Sequence, residues 1–282
     1  MKKTVVKAPA KINLTLDVIG AEKNYHEIKT LVSTIDLYDK ITIVPRKDSH
    51  INLIMKGLAV DCPITENNAF KAGKLYMDKI SSTGADIIIE KNIPCGAGLG
   101  GSSADIAGVL NGMQKAYKKD ADLLPLANSL GSDSGFLLSG GYAVLTGRGE
   151  KIASKNIVKT LYLIIITEDK PVSSRASYKM YDKLEKTYKP CTAAAEKALK
   201  EDDFKKFCSC IKNDLYLASS QIVEDIKYNL MSLKKAGAPA QIMTGSGSAV
   251  VGIFEDKKQR DLAFKKLFPL YGEKLIKAQT NQ

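Results

Sequence analysis

The run Pro94-Cys95-Gly96-Ala97-Gly98-Leu99-Gly100-Gly101-Ser102-Ser103-Ala104 decides how the chain is read. It follows the strand-like alternation of residues 85–91 and precedes a helical pattern over 102–117. Glycines at 96, 98, 100 and 101 let backbone N–H groups close around an anion, and the helix start adds its partial positive charge. Ser102 and Ser103 can cap that helix and offer hydroxyls to phosphate oxygens. The pattern is neither GxxxxGK[ST] nor GxGxxG with an acidic residue about 20 positions on, so it predicts a phosphate-binding loop outside the P-loop and Rossmann classes.

Outward from the loop, residues 3–19 alternate. Ile12, Leu14, Leu16 and Val18 share one face and Lys11, Asn13, Thr15 and Asp17 the other, as in a long strand with an apolar and a polar side. Further strands are expected at 28–36, 40–45, 51–55, 85–91, 142–147, 160–167 and 249–254. Helices are expected at 67–80, 102–117, 121–130, 174–185, 192–200, 202–215, 220–235 and 257–267. Strands crowd the first half and helices the second, an α+β pattern. A boundary after GRGEKIASK divides the chain into residues 1–155 and 156–282. Two further small-residue clusters, Gly131-Ser132-Asp133-Ser134-Gly135 and Thr244-Gly245-Ser246-Gly247-Ser248-Ala249, flank apolar segments.

The 282 residues are 44% hydrophobic and 26% charged, values of an ordinary globular protein. The longest apolar run, 161–166, is too short for a membrane span, and no signal-peptide pattern opens the chain, so a cytoplasmic protein without a membrane partner is expected. The five cysteines lack a CxxC pair and have two histidines for company, which argues for reduced thiols and no metal of the protein's own. Net charge is +11, yet only four of the 42 basic residues are arginine and the lysines are scattered. That reads as a solvated surface that attracts anionic small molecules and not as a nucleic-acid interface.

The segments PAKINL (9–14), Tyr25-His26-Glu27, PCGAGLGGSSAD (94–105), Gly131-Ser132-Asp133 and TGSGSA (244–249) together resemble the GHMP kinase superfamily, with motifs in order across nearly the whole chain. The resemblance implies a ribosomal-S5-like N-terminal domain (1–155), holding the ATP loop and catalytic residues. It implies a ferredoxin-like C-terminal domain (156–282) on the substrate side. PAKIN with YHE is similar to the member that uses ATP and Mg²⁺ to phosphorylate the tertiary 2-hydroxyl of a cytidine-diphosphate-bearing methylerythritol, a step of isoprenoid precursor synthesis. It implies a monomer or weak homodimer.

The carry-over makes Asp133 the proton acceptor and Lys11 its catalytic partner. It puts Pro94, Cys95, Gly96, Ala97, Gly98, Leu99, Gly100, Gly101, Ser102 and Ser103 around the phosphates, with Asn67 and Lys91 near the adenosine. On the other substrate it puts Asn13 at a hydroxyl and His26 and Ser174 in recognition, with Tyr25 and Tyr178 on the two faces of the cytosine. TGSGSA would support the site without doing chemistry. Two other readings share these features: another GHMP small-molecule kinase (for a sugar, homoserine or mevalonate), and a catalytically silent nucleotide- or RNA-binding homologue. The chain departs from the family pattern at Ser102 and Ala104, at Ser134-Gly135 (usually Val-Pro) and at Lys23-Asn24 (usually Asp-Gly). The change to Gly135 predicts a looser backbone after the aspartate.

Overall fold

The computed structural model describes residues 3–22, 25–155, 157–185 and 189–281. Lys23-Asn24 and Asn156, at the expected boundary, lie outside them. In chain order the elements are β1 (Thr4–Asn13), β2 (Asp17–Glu22), β3 (Tyr25–Pro45), β4 (Ile51–Gly57), α1 (Asn68–Ile80), β5 (Ala85–Lys91), α2 (Gly101–Tyr117), α3 (Leu123–Leu130), α4 (Ser134–Leu137), β6 (Tyr142–Gly147), β7 (Lys151–Ser154) and β8 (Tyr162–Ile166). Then follow α5 (Ser174–Tyr181), α6 (Thr192–Lys200), α7 (Phe204–Cys210), α8 (Tyr216–Ile222), α9 (Asp225–Ala236), β9 (Ala240–Met243), β10 (Val250–Phe254), α10 (Lys257–Tyr271) and β11 (Leu275–Gln279). The α+β composition is as expected.

Compactness does not follow a single cut at 155. One unit comprises Met1–Ala10, Leu37–Cys95 and Gly100–Gly140; the other comprises Lys11–Asp36, Gly96–Leu99 and Gly141–Gln282. The reason lies in β3, expected as two strands and found as one of 21 residues. Its second half pairs with β5, and its first half pairs with β2 and β6. Pairing, and not sequence order, assigns each segment.

In the first unit β4 runs parallel to β5, and β5 antiparallel to β3 with Thr42 opposite Ile88. Alternation along β5 buries Ala85, Ile87, Ile89 and, at its end, Lys91. Helix α2 is buried along most of its length. A Cβ at Gly108 would stand 2.5 Å from Ile41 and 2.8 Å from Ala8, so glycine is what lets α2 lie so close to the strands beneath it.

In the second unit, the antiparallel sheet β11-β8-β10-β9 forms the floor, its two central strands apolar throughout. Ile164, Ile166, Val250 and Phe254 pack with Leu233 of α9 and Leu267 of α10. Helix α6 starts without a capping side chain of its own; Asp17, from β2, accepts the Cys191 and Thr192 N–H groups at 2.9 Å instead. Among the described residues no helix is long and apolar enough to cross a membrane. The five cysteines form no disulfide.

Candidate active site

The polar face of the first two strands is buried. Lys11, Asn13, Thr15 and Asp17 are all at most 5% exposed. Burying such groups is costly unless each finds a partner, and these do. The Lys11 ammonium donates to Asn13 Oδ1 at 2.6 Å, and Asn13 Nδ2 donates to Thr30 Oγ1 at 2.8 Å. The Thr30 hydroxyl in turn donates to the Thr15 carbonyl.

The same strand holds the glycine loop by its backbone. Lys11 N–H donates to the Leu99 carbonyl at 2.9 Å, and Asn13 N–H to Thr244 Oγ1 at 2.9 Å. Gly98 has φ +79°, and a Cβ there would lie 2.3 Å from the Thr244 carbonyl oxygen. Only glycine fits. The Ala97 and Leu99 side chains are buried, so these two positions have backbone alone to offer a ligand. TGSGSA is itself clamped: Asn213 Nδ2 donates to the Met243 and Gly245 carbonyls, and Ser219 Oγ to that of Ser246.

Tyr25 and Tyr178, expected on the two faces of one base, have different neighbours here. Tyr178, on α5, stacks on His26 with ring centroids 4.6 Å apart and planes 16° from parallel. His26 Nε2 is 2.8 Å from Asp182 Oδ1. Tyr25 is 58% exposed, with the Arg148 guanidinium 4.4 Å above its ring. The stack present therefore joins Tyr178 to His26, and Tyr25 carries its own cation. Asp182 and Arg148 escaped the sequence reading because neither lies in a recognisable motif. Ser174, the first residue of α5, stands 3.2 Å from Ser246, hydroxyl to hydroxyl.

The first unit contains the segments of chain that enter and leave the loop. Gly100, at φ +73°, is the residue before α2, and Ser102 is exposed in the first turn. Asn67 caps α1 by accepting the Ala69 N–H at 2.9 Å, and its neighbour Asn68 donates to Ser102 Oγ at 3.3 Å. Pro94 and Cys95 end the segment that enters the loop.

Lys91 requires a correction. Its side chain is 1% exposed, and its ammonium donates to Asp39 Oδ2 at 2.5 Å and Asp105 Oδ2 at 2.7 Å. A lysine so enclosed has no reach to an adenosine. Burial pulls its pKa down, but the two carboxylates outweigh that and hold it above the ordinary value. Asp105 is pushed up to about 7, chiefly by burial, with the Lys91 charge opposing. Asp105 lies inside the quoted glycine-loop motif, and Asp39 lies within β3, between the strands expected at 28–36 and 40–45; no local spacing ties either acid to Lys91.

Asp133 is the half-buried residue that opens α4, and its carbonyl accepts the Leu137 N–H at 3.1 Å. Gly135 lies in a helical turn where a Cβ would stand 2.2 Å from Asn128 Oδ1 and 2.8 Å from Leu124, so the neighbouring helix has filled the space a larger residue would need. Lys11 and Asp133 belong to different compact units.

Comparison with known proteins extends these observations. Residues 67–147 match the family model for the GHMP kinases N terminal domain. A 4-diphosphocytidyl-2-C-methyl-D-erythritol kinase of Clostridium tetani is 33% identical over 96% of this chain and 98% of its own. The same-named protein of Clostridium botulinum (strain Loch Maree) is 35% identical with the same coverage. A crystal structure of 4-(cytidine 5'-diphospho)-2C-methyl-D-erythritol kinase superposes with a TM-score of 0.82 at 27% identity, over 99% of this chain and 100% of that one. A mevalonate kinase from L. major shares the fold at 17% identity, with a TM-score of 0.76 over 100% of this chain and 96% of that one. Full-length likeness at this identity settles the family: the chain belongs to the 4-diphosphocytidyl-2-C-methyl-D-erythritol kinases, of the GHMP kinase superfamily.

Proposed function

We propose that this protein transfers the γ-phosphoryl group of ATP to the tertiary 2-hydroxyl of 4-diphosphocytidyl-2-C-methyl-D-erythritol. The observation that carries this reading is the 33–35% identity to kinases of that name over 96% of the chain. Within it, Asp133 accepts the proton of the attacking hydroxyl, and the Lys11 ammonium stabilises the negative charge that gathers on the transferring group. Asn13 orients Lys11 through their 2.6 Å hydrogen bond and faces the acceptor alcohol. Backbone N–H groups of Pro94 to Ser103 and the start of α2 receive the phosphates. Asn67 and Asn68 border the nucleotide. Tyr25, His26, Ser174 and Tyr178 hold the cytidylyl end, the base stacking on tyrosine faces.

Mg²⁺ enters with the nucleotide. Among the described residues no three His, Cys, Asp or Glu side chains are grouped to hold a metal. The Ser102 and Ser103 hydroxyls suit completion of a shell built on phosphate oxygens and water. That ion would neutralise phosphate charge during transfer.

The test is steady-state kinetics with ATP against the cytidylyl substrate, homoserine and mevalonate, with ³¹P NMR of the product. A phosphomonoester on the 2-hydroxyl and kcat/KM at least a hundredfold above the other acceptors is expected. Comparable turnover of homoserine or mevalonate would overturn the assignment.

A further inference from the structure

Asp39, Lys91 and Asp105 form one connected, buried set of charges in the first unit, and nothing in the reaction above uses them. Asp39 Oδ1 accepts the Asn92 N–H at 2.6 Å and the Ile93 N–H at 2.9 Å, on the segment entering the glycine loop. Asp39 Oδ2 and Asp105 Oδ2 both take the Lys91 ammonium. Asp105 is the fifth residue of α2, which leaves the loop. A Cβ built on Gly101 would sit 3.4 Å from Lys91 Nζ, so the ammonium lies directly beneath the first residue of the helix.

These groups are expensive. All three are at most 6% exposed, two carboxylates face one ammonium, and Asp105 Oδ1 is buried with no hydrogen-bond partner. Buried ion pairs commonly stabilise no better than apolar residues of the same volume, so stability alone does not account for such an arrangement. Its geometry offers another account. The chain of hydrogen bonds runs without a gap from the loop's entry (Asn92, Ile93) through Asp39 and Lys91 to the helix at its exit (Asp105). Directional charged bonds fix spacing and angle more narrowly than apolar packing. Phosphate recognition by backbone N–H groups depends on that spacing.

We infer that Asp39, Lys91 and Asp105 are positioning residues for ATP: a buried strap that holds the entry and exit of the glycine loop at the separation the nucleotide phosphates require. Lys91 acts from below the loop, without touching the nucleotide. The inference rests on the reading of the α2 start as the phosphate site.

Asp105→Ala removes one link and leaves Lys91 and Asp39 as a charge-balanced pair, so the variant is expected to fold. Asp105→Asn keeps an acceptor oxygen for Lys91 and serves as the conservative rescue. The full chain and both variants are compared by thermal unfolding, by calorimetric titration with a non-hydrolysable ATP analogue, and by kinetics with each substrate varied. Asp105→Ala should weaken the analogue and raise KM for ATP about tenfold, with KM for the cytidylyl substrate within twofold. Asp105→Asn should recover analogue affinity to within threefold of wild type. Unchanged analogue affinity in a folded Asp105→Ala overturns the inference, as does an equal rise in both KM values, which marks general loosening. If Asp105→Ala fails to fold, near-isosteric Asp105→Leu replaces it with the same expectations. Analogue titration needs no turnover, so failure of the assigned reaction registers separately, as loss of phosphoryl transfer in wild type.

Discussion

Lys11 and Lys91 lie in strands beside the same glycine loop, and both are at least 95% buried. Their surroundings differ. Lys11 donates to the amide oxygen of Asn13, while Lys91 is enclosed by two carboxylates whose other contacts run into the loop and its helix. The electrostatic capacity of a buried cation serves either incoming negative charge or the structure around it. A cation between two anions has spent it on holding structure. Burial and residue type alone therefore do not mark Lys91 as a positioning lysine; its two carboxylate neighbours do.

The widest separation should appear in turnover. Lys11→Met and Asp133→Asn are expected to lower kcat by about 10²–10⁴-fold, the usual contribution of a positioned acid–base or charge-stabilising group, with ATP-analogue binding little changed. Single-turnover measurements with both substrates saturating check this. Wild-type rates in either variant would dissolve the distinction between the two lysines.

Stability should report on Lys91. Lys91→Met leaves two buried carboxylates facing each other, at a cost of about 3–5 kcal/mol. Urea unfolding of Lys91→Met beside wild type measures the loss. Unchanged stability would mean that the carboxylates relax into solvent or share a proton at no cost.

The pH dependence of that stability sharpens the point. Burial raises the folded pKa of Asp105 from 3.8 to about 7. The folded chain therefore keeps a proton that the unfolded chain sheds above about pH 4. This contribution is complete below pH 4 and is lost as pH rises through 7. Wild type should lose about 1–4 kcal/mol relative to Asp105→Asn between pH 4 and pH 8, since the amide does not titrate. Parallel stability profiles for the two would place the proton elsewhere.

How much of this was legible in the sequence depends on whether the determining contact is local. The loop, the strand before it and the helix after it follow from spacing within about thirty residues, and they are found as read. The polar face of β1 was legible as a face but not as a buried one, because Thr30 and Thr244, which satisfy Asn13, lie 17 and 231 residues away. Lys91 looked like a ligand contact because Asp39 is 52 positions earlier. Short β7, β9 and β11 and the four-residue α4 carry too few residues for a period to emerge. The Tyr25–Tyr178 pairing came from resemblance, which specifies residue types and not which rings meet.

The smallest effects are expected among those rings, where the second unit recognises and does not react. The cytosine contributes no atoms to the transfer, so its binding serves to place a distant hydroxyl. Stacking on a tyrosine face is worth about 1–3 kcal/mol per base. Tyr25→Ala should then raise KM for the cytidylyl substrate about 5–150-fold with KM for ATP unchanged, and Tyr25→Phe should stay within threefold of wild type because the ring face is kept. Tyr178→Ala should do the same by a smaller factor, because its ring already stacks on His26 at 4.6 Å and the base displaces or extends an existing contact. Arg148, 4.4 Å over Tyr25, gives the control. If the base takes the face now under the guanidinium, Arg148→Ala lowers KM for that substrate; if the guanidinium backs the opposite face, Arg148→Ala raises it. An unaffected KM in both Tyr25→Ala and Arg148→Ala would remove Tyr25 from the binding surface and leave the His26–Tyr178 stack as the base-recognition element of this unit.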